Sequence, residues 1–89
     1  MLSKDIPITN KLGLHARAAA KFVALASTFN SEINVSRNGR NVNGKSIMGV
    51  MMLAAACGSE IHVEISGEDE ARAMAELKAL VQNRFGEEA

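Results

Sequence analysis

With 89 residues, a formal net charge of zero and ten Lys plus Arg against ten Asp plus Glu, the chain is expected to be a single domain, residues 1–89. Such a length builds one small core and buries somewhat over about 60 % of the unfolded surface. Balanced charge with no block of one sign argues against nucleic acid or an anionic membrane as the main partner, and three Phe with neither Trp nor Tyr leave few platforms for base stacking. One cysteine, Cys57, excludes an intrachain disulfide. The start Met1-Leu2-Ser3-Lys4-Asp5 lacks the apolar segment of a signal peptide, and no apolar run reaches membrane-spanning length, so a cytoplasmic location is expected.

Ile6 and Ile8 alternate with polar neighbours, which predicts a half-buried strand over about residues 3–9. Pro7 within it removes a ladder donor and places that strand at a sheet edge. Residues Ala16 to Asn30 are Ala-rich and helix-forming, and Ala19, Phe22, Val23, Ala26 and Phe29 recur at steps of three and four as one apolar stripe on a helix from Ala16 to Phe29. Ser31 to Ser36 carries Ile33 and Val35 at period two. Asn38-Gly39 signals a tight turn, so Val42 belongs to the returning strand of a hairpin.

Ser46 precedes an apolar helix, Ile47 to Ala56, whose first amides its side chain can cap and which Gly58 closes. Ile61, Val63 and Ile65 alternate with His62, Glu64 and Ser66 as a further one-faced strand. After Gly67, Glu68-Asp69-Glu70 place negative charge on the first turn of a last helix, where the helix dipole favours it. Met74, Leu77, Val81 and Phe85 form the inner stripe of that helix, and Gly86 stops it. Four strands with one apolar face each imply a sheet covered by helices on one side.

The chemistry gathers at Gly13-Leu14-His15-Ala16-Arg17-Ala18-Ala19. His15 stands where the polar stretch Thr9-Asn10-Lys11-Leu12 turns into the first helix, at or next to its N-cap. A helix start presents unpaired amides and a partial positive charge, which welcomes an anion and disfavours the imidazolium form. A neutral imidazole there keeps a free ring nitrogen as nucleophile. Arg17, within the first turn, offers a planar guanidinium that binds phosphate bidentately. The functional reading is a histidine that is transiently phosphorylated, its phosphoryl group held by Arg17 and by the amides of Ala16 and Arg17. The competing reading is a capping histidine beside an unrelated surface arginine.

Gly13-Leu14-His15-Ala16-Arg17 resembles the active-site signature of the histidine-containing phosphocarrier proteins (HPr) of the bacterial phosphoenolpyruvate-dependent phosphotransferase system. The resemblance runs along the whole chain and includes Ser46 with its apolar helix. Ile8-Thr9-Asn10-Lys11-Leu12 resembles the nitrogen-related branch, NPr, as much as the sugar branch. It implies an α+β fold, an open-faced βαββαβα sandwich with a four-stranded antiparallel sheet and three helices on one face. It also implies phosphorylation of the matching His15 on Nδ1, with Arg17 stabilising the phosphoryl group. One departure is Ala18, where many members have proline; alanine is the better helix former, so the helix survives.

Three further features bear on function. Val50, Leu53 and Ala54 can face inward from the second helix, but Ile47, Met48 and Met51 cannot all join them on about three turns, and an exposed Met and Ile cluster makes an adaptable docking surface. The resemblance assigns that surface to enzyme I and to IIA-type acceptor proteins. Ser46 reads as an N-cap, and in part of the family the matching serine is phosphorylated by HPr kinase/phosphorylase; a phosphate there sets a dianion beside the docking patch. Gly39 to Ser46 matches G-x-x-x-x-G-K-S, but a nucleotide-binding loop needs a parallel strand before it and a helix after it, and here the residues between the glycines hold a hairpin strand. His62 is expected on the open sheet face and Cys57 as a small buried hydrophobe. Neither joins His15 in metal-ligand spacing, so no metal or cofactor is expected.

The sequence therefore points to a soluble, monomeric phosphocarrier, a covalent relay rather than an enzyme, passing a phosphoryl group from enzyme I to a IIA-type protein through His15. The alternative is an HPr-like regulatory module that acts by docking, with phosphorylation only as a switch. A P-loop nucleotidase is the third class considered.

Overall fold

The computed structural model describes residues 1–89. Strand β1 (Leu2–Pro7) leads through a loop to helix α1 (Ala16–Ala26). A hairpin of β2 (Glu32–Arg37) and β3 (Arg40–Asn43) follows, then the short helix α2 (Ile47–Met52), strand β4 (Glu60–Ser66), helix α3 (Glu70–Gln82) and a 3-10 turn (Arg84–Gly86). The strands form one antiparallel sheet in the order β1-β4-β2-β3. β1 lies at an edge, as Pro7 requires.

Register turns alternation into two faces. Ile6 pairs with Ile61, Ile33 with Ile65 and Val35 with Val63, and all six are buried. Their neighbours Asp5, His62, Ser36, Asn34 and Glu64 pair across the other face, which stays open to solvent. A slip of one residue would exchange the faces, so burial fixes the register. On the apolar face, Ala18, Ala19, Phe22, Val23 and Ala26 of α1 and Ala73, Met74, Leu77 and Val81 of α3 complete a core of 22 residues. The result is the open-faced α+β sandwich expected from the sequence.

The hairpin turn is made by Asn38 and Gly39 with φ of 51° and 80°, the paired left-handed conformation that a two-residue turn demands. The Gly39–Ser46 run thus folds as turn, return strand and helix cap, not as a phosphate loop. At the other end of the hairpin, Asp69 ties α3 to the start of β2. Its Oδ1 accepts from the Ser31 amide at 3.0 Å and from the Ser31 hydroxyl at 2.5 Å, while Oδ2 accepts from the Asn30 amide at 2.9 Å.

The helices differ from expectation at their ends. α1 stops at Ala26, and the Thr28 and Phe29 amides turn back to the carbonyls of Leu25 and Ala26, a tightened turn that still delivers Phe29 to the core. α2 ends at Met52 rather than Ala56, because Ala54 has a left-handed φ of 49° and the chain leaves toward the first loop. That departure buries Ala55, leaves Ala54 exposed, and separates Gly58 from the helix: the Gly58 amide donates to Ile8 O at 2.8 Å. Cys57, in this irregular stretch, is exposed, with Sγ 3.7 Å from Thr9 O, and is not the buried hydrophobe expected. Phe85 is buried, but not on the stripe of α3. The helix ends at Gln82, and left-handed Arg84 and Phe85 fold the ring back into the core.

Candidate functional site

The first helix begins where the sequence places it. His15 is the N-cap of α1, with extended backbone (φ −72°, ψ 176°), and its carbonyl accepts the first helical hydrogen bond from the Ala19 amide at 2.8 Å. Its ring makes no capping hydrogen bond. The amides of Ala16 and Arg17 thus form the exposed start of an eleven-residue helix with the imidazole beside them. Arg17 is exposed and takes part in no ion pair, so its guanidinium is available to a ligand at the helix start.

The loop that carries His15 is fixed from two sides. Gly13 has φ +66°, and its amide donates to Asn10 O at 3.1 Å. A Cβ on Gly13 would lie 2.4 Å from Ala55 O, so only glycine lets the loop approach the segment after α2 this closely. Leu14, buried, donates its amide to the same Ala55 O at 2.8 Å. The early end of α2 is therefore what brings Ala55 to the histidine loop. From below, the fully buried Asn10 donates from Nδ2 to Gly13 O at 2.8 Å.

The C-terminal segment closes the site. Lys21 of α1 donates from Nζ to Phe85 O at 2.7 Å, which holds the 3-10 turn against α1 and leads Glu87 back to the loop. Glu87 Oε1 accepts from Asn10 Nδ2 at 2.9 Å, and Oε2 contacts His15 Nε2. These hydrogen bonds, Asn10 first and His15 second, hold the Glu87 carboxyl below its ordinary value. The His15 and Glu87 side chains remain 26 % and 16 % accessible, so a partner can reach them. Lys11, Leu12, Ala16 and Arg17 line the same cleft.

Ile47, Met48 and Met51 are exposed as expected, and Met52 and Leu12 extend the apolar surface. Sequence periodicity does not single out the last two: Met52 because the expected helix runs on to Ala56, Leu12 because the loop has no period. Ser46 caps α2, its Oγ accepting the Gly49 amide at 3.1 Å. The structure thus brings His15, Ala16 and Arg17 together and sets the Ser46 helix alongside, through Ala55 and the packing of α1 on α2. His62 stands apart on the open face, its Nδ1 2.8 Å from Asp5 Oδ1. No group of three or more His, Cys, Asp or Glu is placed to hold a metal ion, and no helix is long and apolar enough to cross a membrane.

An antiparallel sheet with helices on one face, carrying a solvent-reachable histidine at a helix start beside an arginine without an ion-pair partner, defines the class: a small open-faced α+β protein with one imidazole exposed at the start of its first helix. Comparison with known proteins gives the family. The family described as the PTS HPr component phosphorylation site matches residues 2–83. The phosphocarrier protein HPr of Cupriavidus necator is 60 % identical over 87 residues, 98 % of each chain. The crystal structure of an HPr from Thermoanaerobacter tengcongensis superposes with a TM-score of 0.95 at 45 % identity and covers 100 % of both chains. Crh, a catabolite repression protein of Bacillus subtilis whose structure is a swapped, intertwined dimer, matches at a TM-score of 0.75 and 42 % identity over 94 % of this chain and 97 % of that one. The chain belongs to the HPr phosphocarrier family of the phosphotransferase system.

Proposed function

We propose that this protein accepts a phosphoryl group on His15 from phosphorylated enzyme I and delivers it to IIA-type acceptor proteins, in sugar uptake or nitrogen-related regulation. The observation that carries the reading is His15 at the N-cap of α1, with Arg17 unpaired beside it. The helix start and the guanidinium offset the negative charge of the incoming phosphoryl group, and phosphate on nitrogen keeps its reactivity for onward transfer. The protein is then a covalent carrier, because each transfer is completed by the partner's machinery. It needs no cofactor and works as a cytoplasmic monomer.

Ile47, Met48 and Met51 form the docking patch for enzyme I and the acceptors. Their exposures of 44 %, 70 % and 37 % support this, since unbranched methionines adapt to partners met in turn. Ser46, at the head of that helix, is a regulatory phosphorylation site for HPr kinase/phosphorylase, because a dianion there would repel acidic partners from the patch.

The test is incubation with phosphoenolpyruvate, magnesium and enzyme I, followed by intact mass and acid treatment of wild type and His15→Ala. One acid-labile phosphate, absent from the variant, is expected. If a control carrier is phosphorylated and this protein is not, the relay reading is wrong. The likeness to Crh supports a second reading, a regulatory module that acts by docking. In that case His15→Ala leaves binding to the regulatory target intact.

A further inference from the structure

Of the five methionines, three stand together on α2. Met48, Met52 and Met51 are 70 %, 56 % and 37 % exposed, whereas Met74 in the core is 3 % exposed. Val50 and Leu53 take the buried side of the helix, which leaves the three thioethers on the side that faces solvent. Together with Ile47 they make up most of the apolar patch beside the histidine loop, to which the segment after α2 is joined by the Leu14 amide on Ala55 O. An exposed thioether differs from an exposed leucine side chain in one chemical respect. Its sulfur lone pair is open to oxidation, which turns an apolar group into a polar hydrogen-bond acceptor.

We infer that Met48, Met51 and Met52 form a reversible oxidation site that controls docking: a peroxide converts them to sulfoxides, and the carrier then loses affinity for enzyme I while His15 keeps its reactivity. This rests on the docking patch proposed above. In the step, a sulfur lone pair takes one oxygen of hydrogen peroxide: the S–O bond forms, the O–O bond breaks, and the other oxygen leaves as water with both peroxide hydrogens. Sulfur is oxidised by two electrons and the peroxide is reduced by two. Methionine sulfoxide reductases reverse it, two thiols becoming a disulfide as the oxygen leaves as water, with one enzyme for each epimer. The fold tolerates the change, because the oxygen is added on side chains that already face water. Docking does not, because it must strip water from each new S=O group with no donor built to receive it. No sulfur takes part in the contacts of His15, which run from its ring to Glu87 and from its carbonyl to the Ala19 amide, so the chemical step is untouched.

The experiment treats the protein with hydrogen peroxide, locates the added oxygen by peptide mass, and measures Kd for enzyme I by calorimetry alongside kcat and KM for transfer. Oxidation is expected in the order of exposure, Met48 and Met52 before Met51, with Met74 left intact; the exposed Met1 also oxidises but lies outside the patch. With sulfoxides at all three α2 positions, Kd and KM rise about tenfold, kcat stays within about twofold, and the thermal midpoint holds. The two sulfoxide reductases, supplied with a thiol, restore Kd. The triple variant Met48→Leu, Met51→Leu, Met52→Leu retains Met1, Met74 and the exposed Cys57, binds as wild type does, and keeps that affinity through the treatment. If the triple variant weakens as wild type does, or dithiothreitol alone restores binding, the effect belongs to Cys57 or Met1 and the inference is overturned. It is overturned as well if protein carrying the three sulfoxides keeps its Kd while Met48→Asp weakens binding. If neither oxidation nor Met48→Asp changes Kd, the docking patch itself is wrong and the inference falls with it.

Discussion

Gly13→Ala tests how the fold holds the histidine. Gly13 has φ +66°, and an alanine Cβ there would sit 2.4 Å from Ala55 O and 2.9 Å from Ala56 Cα, both backbone atoms that cannot swing aside. The left-handed backbone alone costs alanine about 1–2 kcal/mol. Relief of the overlap requires the loop and the segment after α2 to separate, which breaks the 2.8 Å hydrogen bond from the Leu14 amide to Ala55 O, worth about 1 kcal/mol, and loosens the packing of Leu14. The sum is about 2–4 kcal/mol. For a domain of this size that lowers the thermal midpoint by about 10–25 °C and the urea midpoint by roughly 2 M or more. The same displacement moves the N-cap, so transfer through His15 falls more than in a variant of equal stability altered elsewhere in the core. A Gly13→Ala protein within about 0.5 kcal/mol of wild type by urea titration would refute the reasoning.

The acid limb of stability should depend on Asp69. The Ser31 hydroxyl, then the amides of Asn30 and Ser31, hold its carboxyl below the ordinary 3.8. A pKa depressed by folding contributes stability above the unfolded value and loses it as pH falls through the folded value. Asp69→Ala is therefore less stable than wild type near pH ~7, and in urea titrations the gap narrows as pH falls below 3.8 and through the lowered folded value; a constant difference across that window would count against the assignment. On the surface, Met48→Asp changes a side chain that is 70 % exposed, so thermal stability should hold while KM for enzyme I rises about tenfold in transfer assays. An unchanged KM would remove Met48 from the docking patch.

Much of the architecture is legible residue by residue. Ile33 and Val35, and Ile61, Val63 and Ile65, declare strands because a period of two can serve only a sheet with one buried face. Asn38-Gly39 declares the hairpin because few other pairs accept two left-handed conformations. Ser46 caps α2 as its position predicts. Misreadings cluster where a local pattern continues but the chain does not. The alanines after Leu53 are good helix formers, yet Ala55 is required at the histidine loop, so tertiary contact overrides propensity. Phe85 falls in phase with the α3 stripe, yet it enters the core from a left-handed turn. Cys57, apolar in character, lies on the outside of the segment that Ala55 anchors.

The candidate site divides in the same way. The local part follows from the order of residues alone: a histidine at a helix start, an arginine within one turn and an apolar helix headed by serine, because capping, dipole and side-chain periodicity act over a few residues. The strand order β1-β4-β2-β3, the union of Gly13 with Ala55, and the meeting of Asn10, His15 and Glu87 arise from long-range packing. Residues 10 and 87 lie 77 positions apart. No periodicity spans such a separation; the contact exists because Phe85 finds the core and Lys21 holds its carbonyl, which leaves the next carboxylate facing the ring.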